Sequence, residues 1–516
     1  MLSIIKTMAL NGLNGYLVEV QTDVTGGLPD FDIVGLPNTS IREAKERIRV
    51  AIKNSKTEFP SKRILINLSP AGTKKEGTGL DLPMAIGILI ATRQLEVKID
   101  ILNTIFIGEL SLNGKINKVK GILPMCADAK KLGITKVIIP KENQNEASII
   151  KGIKVIPVES LEEIIEVLNG KRVIKAKSTK IESLLKKDNI YGIDFSDVKG
   201  QENIKRALEV AAAGGHNCLM IGSPGSGKTM LARRMPTILP DLTFEEALEI
   251  TKIHSVTGTL PENSTLINTR PFRAPHHTTT GPAMIGGGKY PKPGEISLAH
   301  FGVLFLDELP EFNRNTLEVL RGPLEDKIVN ISRVNASFIF PADTMLIASM
   351  NPCPCGYYGS DEKECICTPQ AINRYLSKIS GPLLDRIDIH IEVKSVEYKK
   401  ISSNDTPEKS EQIKQRVNNA RKLQIQRYEK FGIYANSGLT PKLIERYCKL
   451  DEQGKKLLEN AFKKMGLSAR AYERILKVAR TIADLECSVN ISQKHLAEAI
   501  QYRSLDRKYG DLYWWK

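Results

Sequence analysis

The sequence predicts a multidomain α/β chain closed by an α-helical region, and three observations predict it. Strand-like and helix-like periodicities alternate over residues 1–170 and again over 190–400. A short apolar strand, Leu219–Ile221, runs into a glycine-rich loop and then a helical segment, the build of a phosphate-binding α/β core with a parallel sheet. From Glu411 onward the spacing is helical throughout. A length of 516 residues suits two to four domains at roughly 100–200 residues each.

The elements follow in order. Gly15–Val20 and Phe31–Val34 read as short strands, and Ser40–Asn54 as a helix with Ile41, Ala44, Ile48 and Ala51 on one face. Ile64–Leu68 is a strand, Leu80–Ala91 a helix, Ile105–Gly108 and Val137–Ile139 strands, and Leu161–Leu168 a helix stopped by Asn169–Gly170. Residues 171–189 turn Lys-rich and mark a basic linker. The second α/β unit spans 190–400, and a polar joint around Ser402–Lys409 leads into the helical domain, 401–516. Its helices are Ile413–Tyr428, Pro441–Tyr447, Gly454–Lys464, Ala469–Leu485 and Ser492–Tyr502.

Charge and composition bound the function. Hydrophobic residues are 41% and charged residues 26%, which excludes wholesale disorder. No apolar run reaches the ~18 residues a membrane span needs, so no membrane partner is expected and the start reads as that of a cytoplasmic protein. The net charge is +15, and residues 411–516 hold 22 Lys and Arg against 12 Asp and Glu, a net of +10. Such an excess favours a polyanion, nucleic acid first, with solvated helix surface as the plain alternative.

The chemistry concentrates in the second unit. Gly222-Ser223-Pro224-Gly225-Ser226-Gly227-Lys228-Thr229 is G-x-x-x-x-G-K-[ST] between strand and helix. Its backbone N–H groups can wrap the phosphates of ATP, Lys228 can reach the β/γ-phosphates and Thr229 can hold Mg²⁺. Val303–Leu306 is an apolar strand delivering Asp307 and Glu308, the first suited to Mg²⁺ and the second to polarising the attacking water. A third strand, Met345–Met350, ends at Asn351, which can position that water or simply cap a turn.

Cys353, Cys355, Cys365 and Cys367 share one loop, a set that suits tetrahedral Zn²⁺, with free thiols or a redox disulfide as alternatives. Cys126, Cys218, Cys448 and Cys487 read as small core residues. His276 and His277 are adjacent and lack an obvious third ligand, so subunit contacts or folding of an insert suit them better than a metal.

These pieces in this order resemble AAA+ ATPases, and the chain is identified more narrowly as similar to the Mg-chelatase-like YifB/ComM family. The strings that carry the resemblance are Arg270-Pro-Phe-Arg-Ala-Pro-His-His-Thr, Pro293-Gly-Glu-Ile-Ser-Leu-Ala-His, Met350-Asn-Pro-Cys-Pro-Cys-Gly and Ser380-Gly-Pro-Leu-Leu-Asp-Arg-Ile-Asp. The resemblance implies that Gly200 and Gln201 lie on the adenine side and that Arg386 is an arginine finger acting on a neighbour's ATP. It also implies that Arg470 is the sensor-2 arginine of a helical lid, and that the assembly is a homo-oligomer, a hexameric ring. It further implies an insert within about 255–300 and a hairpin over about 327–343. There Lys327 and Arg333 would touch DNA, or else face a neighbouring subunit.

Residues 1–170 resemble the Lon protease domain, of ribosomal S5 type, through Lys75-Glu-Gly-Thr-Gly-Leu-Asp-Leu-Pro-Met-Ala and Gly108-Glu-Leu-Ser-Leu-Asn-Gly-Lys-Ile. The Ser–Lys dyad positions fall on Gly79 and Leu123, which implies a proteolytically dead domain. The function implied is an ATP-driven ring motor on single-stranded or branched DNA, a branch-migration helicase of recombination or transformation. A protein remodeller or a Mg-chelatase-type motor subunit without DNA activity is the alternative.

Overall fold

The computed structural model describes residues 2–174, 192–261, 265–288, 291–333, 336–360, 363–396, 407–465 and 467–505. Most of the expected basic linker and of the polar joint near Ser402 lies outside these residues. Two compact units result: residues 1–186 with 247–268, and residues 187–246 with 269–516. The chain crosses between them within the helix Phe244–Thr257.

The first unit is built on a mixed sheet of four strands in the order Leu2–Asn11, Asn14–Thr25, Arg63–Ser69, Asp30–Val34. Neighbours run antiparallel except the last pair, which is parallel. A parallel trio, Thr104–Phe106, Lys136–Pro140 and Lys154–Val158, completes the unit's main sheets. The helix Thr39–Asn54 starts where Asn38 accepts the Ile41 N–H, and it buries the face Ile41, Ala44, Ile48 and Ala51. The helix Asp81–Ala91 is apolar on nearly every side and is buried almost throughout, as such a helix must be.

At the dyad positions Gly79 faces Ile107 and Val119, and Leu123 is fully buried in the helix Ile122–Lys131. Glu146 accepts the Leu123 N–H at 2.9 Å and pairs with the Ser255 hydroxyl, while Gly121 N–H donates to the Ser255 carbonyl at 3.1 Å. These bonds explain why residues 247–268 group with this unit.

The second unit centres on a parallel sheet in the order Phe272–Arg273, Val303–Leu306, Met345–Met350, Cys218–Gly222, Ile389–Val393. The central strands are buried at every position, as parallel strands covered on both faces are. Glu202–Gly214 and Lys228–Ile238 flank the sheet, and Ser410–Tyr428 and Ala469–Leu485 pack on the former. The helices Pro441–Tyr447 and Ala469–Leu485 match the sequence reading in both bounds.

A buried polar cluster ties helices to sheet: His216 reaches Asp388 at 3.1 Å and Thr481 at 2.8 Å, and Arg474 pairs with Asp388. Among the described residues no helix is long and apolar enough to cross a membrane. One expectation is corrected: Cys487 is exposed rather than a core residue, because the helix ends at Leu485 and the chain turns there through a positive φ of 54°.

Candidate nucleotide site

All five strands point their C-terminal ends the same way, and Cys218–Gly222 lies between Met345–Met350 and Ile389–Val393, two strands that both come much later in the chain. That is where open parallel sheets bind ligands. Gly222 closes the strand Cys218–Gly222 and opens the loop, and it must be glycine: a Cβ there would lie 2.2 Å from the Val393 carbonyl oxygen. Gly225 and Gly227 hold φ of 80° and 91°, which glycine alone adopts freely. Lys228 begins the helix that follows.

The Lys228 ammonium donates to the carbonyls of Gly222 and Ser223, both at 2.8 Å, and to Asn351 Oδ1 at 3.2 Å. Burial lowers its pKa from the ordinary lysine value, and the carboxylates of Asp307 and Glu308 oppose that shift. The ammonium is thus held at the loop where phosphate oxygens would replace the carbonyls.

Thr229 Oγ1 donates to Asp307 Oδ2 at 2.7 Å. The other carboxylate oxygen accepts from the Ser349 hydroxyl and from the Glu308 N–H at 3.1 Å. Hydroxyl and carboxylate converge as they would around a hard divalent cation, so Thr229 and Asp307 fit Mg²⁺. Glu308 stands at φ 53°, and its side chain is 60% exposed, projecting from the sheet edge. The His277 ring nitrogen lies 3.8 Å from the Glu308 carboxylate. Gln201, 5% exposed, donates to the Ser226 and Lys394 carbonyls at 3.4 and 2.7 Å, tying the segment after Gly200 to the loop.

The sequence reading missed Ser349 and the placement of His277. Ser349 had a signal: it is the one polar residue in an otherwise apolar buried strand. His277 had none, because its neighbour Glu308 is brought to it only by the fold.

The four loop cysteines converge. All four Sγ atoms lie within 4.8 Å of one another, with Cys353–Cys355 at 3.4 Å, Cys353–Cys365 at 3.7 Å and Cys355–Cys365 at 3.6 Å. Tetrahedral Zn–S bonds of about 2.3 Å place sulfurs about 3.8 Å apart, so the set fits a single Zn²⁺.

Arg386 and Arg470 do not join this site. Asn217, just before the strand Cys218–Gly222, donates to the Arg386 carbonyl at 2.8 Å and accepts from the Leu346 N–H at 2.8 Å. Both bonds lie at the N-terminal edge of the sheet. At about 3.3 Å per residue a five-residue strand separates the two edges by roughly 15 Å. Arg386 pairs with Glu325, and Arg470 lies 3.7 Å from Asp385 next door.

A cavity of about 630 Å³ opens on the same edge, with Arg470, Arg474, Lys477, Lys327 and Asp343 in its lining. Lys327 sits at the base of the hairpin Ile328–Arg333/Ala336–Pro341, 2.5 Å from Asp343, while Arg333 lies at the far end of its first strand.

Residues 20–143, 194–401 and 407–503 match families described as subunit ChlI of Mg-chelatase, magnesium chelatase subunit ChlI, and its C-terminal part. Competence protein ComM of Haemophilus influenzae is 44% identical over 510 residues, 98% of both chains. The chain belongs to the Mg-chelatase-like YifB/ComM family. YifB of Escherichia coli is likewise 44% identical over 509 residues, 98% of both chains. Lon protease 2 of Bacillus subtilis is 31% identical over 182 residues, 32% of each chain. The family thus joins a Lon-like N-terminal region to an AAA+ P-loop core and a helical C-terminal region, the architecture described above.

Proposed function

We propose that this YifB/ComM family member is an ATP-hydrolysing ring motor that acts on single-stranded or branched DNA and drives branch migration in recombination or transformation. The observation that carries the motor reading is the convergence of Lys228, Thr229, Asp307 and Asn351 on one sheet edge, with Thr229 Oγ1 2.7 Å from Asp307. Thr229 and Asp307 would hold Mg²⁺, which would supply positive charge against the negative charge that develops on the phosphates. Lys228 holds the phosphates, Asn351 orients the water, and Glu308 accepts its proton. Cys353, Cys355, Cys365 and Cys367 hold a structural Zn²⁺.

Arg386 and Arg470 lie at the opposite sheet edge, which favours their acting on the ATP of an adjacent subunit. A hexameric ring would bring each pair to the next P-loop. The DNA reading draws on the net charge of +15, on the hairpin bearing Arg333, and on a relative named as a competence protein. The Lon-like region serves as a non-proteolytic scaffold, and the cytoplasm is the compartment that holds both ATP and DNA.

The test is ATP turnover with and without single-stranded or branched DNA across a salt series. Stimulation that fades as salt rises supports a DNA motor. Equal turnover with and without DNA favours the protein-remodelling or chelatase-type reading.

A further inference from the structure

The cysteine loop is built into the nucleotide site at two points. Asn351, whose Oδ1 accepts from Lys228 Nζ at 3.2 Å, stands two residues before Cys353, so one cysteine of the set and the amide that meets Lys228 share a single short segment. Cys353 is fully buried, and its sulfur accepts the Tyr358 N–H at 3.3 Å.

The second point is Gly356. It closes a tight turn, with its N–H on the Cys353 carbonyl at 3.0 Å, and holds φ of 86°. A Cβ on Gly356 would lie 2.4 Å from Pro224 Cδ and 2.6 Å from Pro224 Cγ. Pro224 is inside the phosphate loop itself. The turn between the first cysteine pair and Tyr357 therefore presses on the wall of the phosphate cradle.

Thiolates clustered this closely repel one another unless a cation neutralises them, and metal binding to such a loop is also its folding energy. We infer that a Zn²⁺ ion held by Cys353, Cys355, Cys365 and Cys367 sets the conformation of the phosphate loop, so that metal occupancy and nucleotide binding are coupled within one chain. The metal fixes the Cys353–Gly356 turn, the turn fixes Pro224 from outside the loop, and the same segment aims Asn351 at Lys228. Coupling of this kind is reciprocal: bound nucleotide retains the metal by the factor by which the metal strengthens nucleotide binding. The inference rests on the reading of this site as an ATP site.

The experiment uses the full chain, a fluorescent ATP analogue and elemental analysis. One zinc per chain is expected as purified. Stripping it with a strong chelator under reducing conditions should weaken analogue binding about tenfold or more, at unchanged circular dichroism, with recovery on adding Zn²⁺. ATP should raise the zinc affinity, read at equilibrium in competition with the chelator, by the same factor. Gly356→Ala should keep its zinc and lose analogue affinity, whereas Lys228→Ala should lose analogue binding and keep its zinc.

Unchanged affinity after zinc removal, or absence of stoichiometric metal, overturns the inference. If stripping unfolds the core, Gly356→Ala decides: unchanged affinity at full zinc content overturns it. A zinc-loaded wild type that binds no analogue overturns the ATP reading itself, and is told apart by its intact metal content.

Discussion

Ser349 offers the sharpest single-residue perturbation. It is fully buried, and its hydroxyl donates to the Asp307 oxygen that Thr229 does not use. Ser349→Ala removes one hydrogen bond to a charged acceptor from a fully buried donor. Such a bond contributes about 1.5–3 kcal/mol. At about 1.4 kcal/mol per tenfold, kcat/KM for ATP should fall by one to two orders of magnitude. Asp307 also loses its aim, so the Mg²⁺ concentration for half-maximal turnover should rise. Steady-state ATPase assays over a Mg²⁺ titration read both effects, with thermal unfolding as a control for folding. A variant with kcat/KM within about twofold of wild type and an unshifted Mg²⁺ dependence would refute the role assigned to Ser349.

Glu308→Gln should keep ATP binding and abolish hydrolysis, read as analogue binding beside phosphate release; persistent hydrolysis moves the base elsewhere. Because burial lowers the Lys228 pKa, the ammonium is lost at a pH below that of an ordinary lysine, so ATP affinity should weaken as pH rises into the alkaline range. A dissociation constant that stays flat from pH 7 to about pH 10 contradicts this. Arg386→Ala and Lys228→Ala should each be inactive alone, and mixing them should restore part of the ATPase if the finger acts across subunits.

Asp388 is buried beside Arg474, His216 and Lys477, and despite burial the Arg474 and Lys477 charges and the hydrogen bond to His216 hold its carboxyl far below the usual range. Its contribution to stability is therefore present above pH ~4 and lost in strong acid. Asp388→Asn should destabilise the second unit by about 3–5 kcal/mol at neutral pH, checked by denaturant unfolding.

What the sequence disclosed and what it hid divide along physical lines. The loop 222–229, the strand ending in Asp307 and the cysteine loop are local patterns whose chemistry needs nearby residues, so they could be read directly. The helix Ala469–Leu485 was legible because Ala471, Ile475, Val478 and Ile482 repeat at helical spacing and are buried together. The strand Leu2–Asn11 was not, since its alternating burial is interrupted by three consecutive buried residues, Thr7, Met8 and Ala9. The strand Lys154–Val158 and the helix Ile122–Lys131 also passed unread, the helix because its buried residues Ile122, Leu123, Pro124, Met125 and Cys126 run consecutively instead of marking one stripe. Arg386 falls at the N-terminal edge because it stands just before the strand Ile389–Val393, which runs parallel to Cys218–Gly222, a pairing that no local pattern encodes.

The central claim is that ATP turnover at this site moves DNA, and migration of a synthetic four-way junction tests it most directly. Wild-type protein with ATP and Mg²⁺ should resolve the junction into its duplex products, and Lys228→Ala should not. Vigorous ATP hydrolysis by the wild type with no junction movement, in low salt and at ring-forming concentrations, would contradict the account.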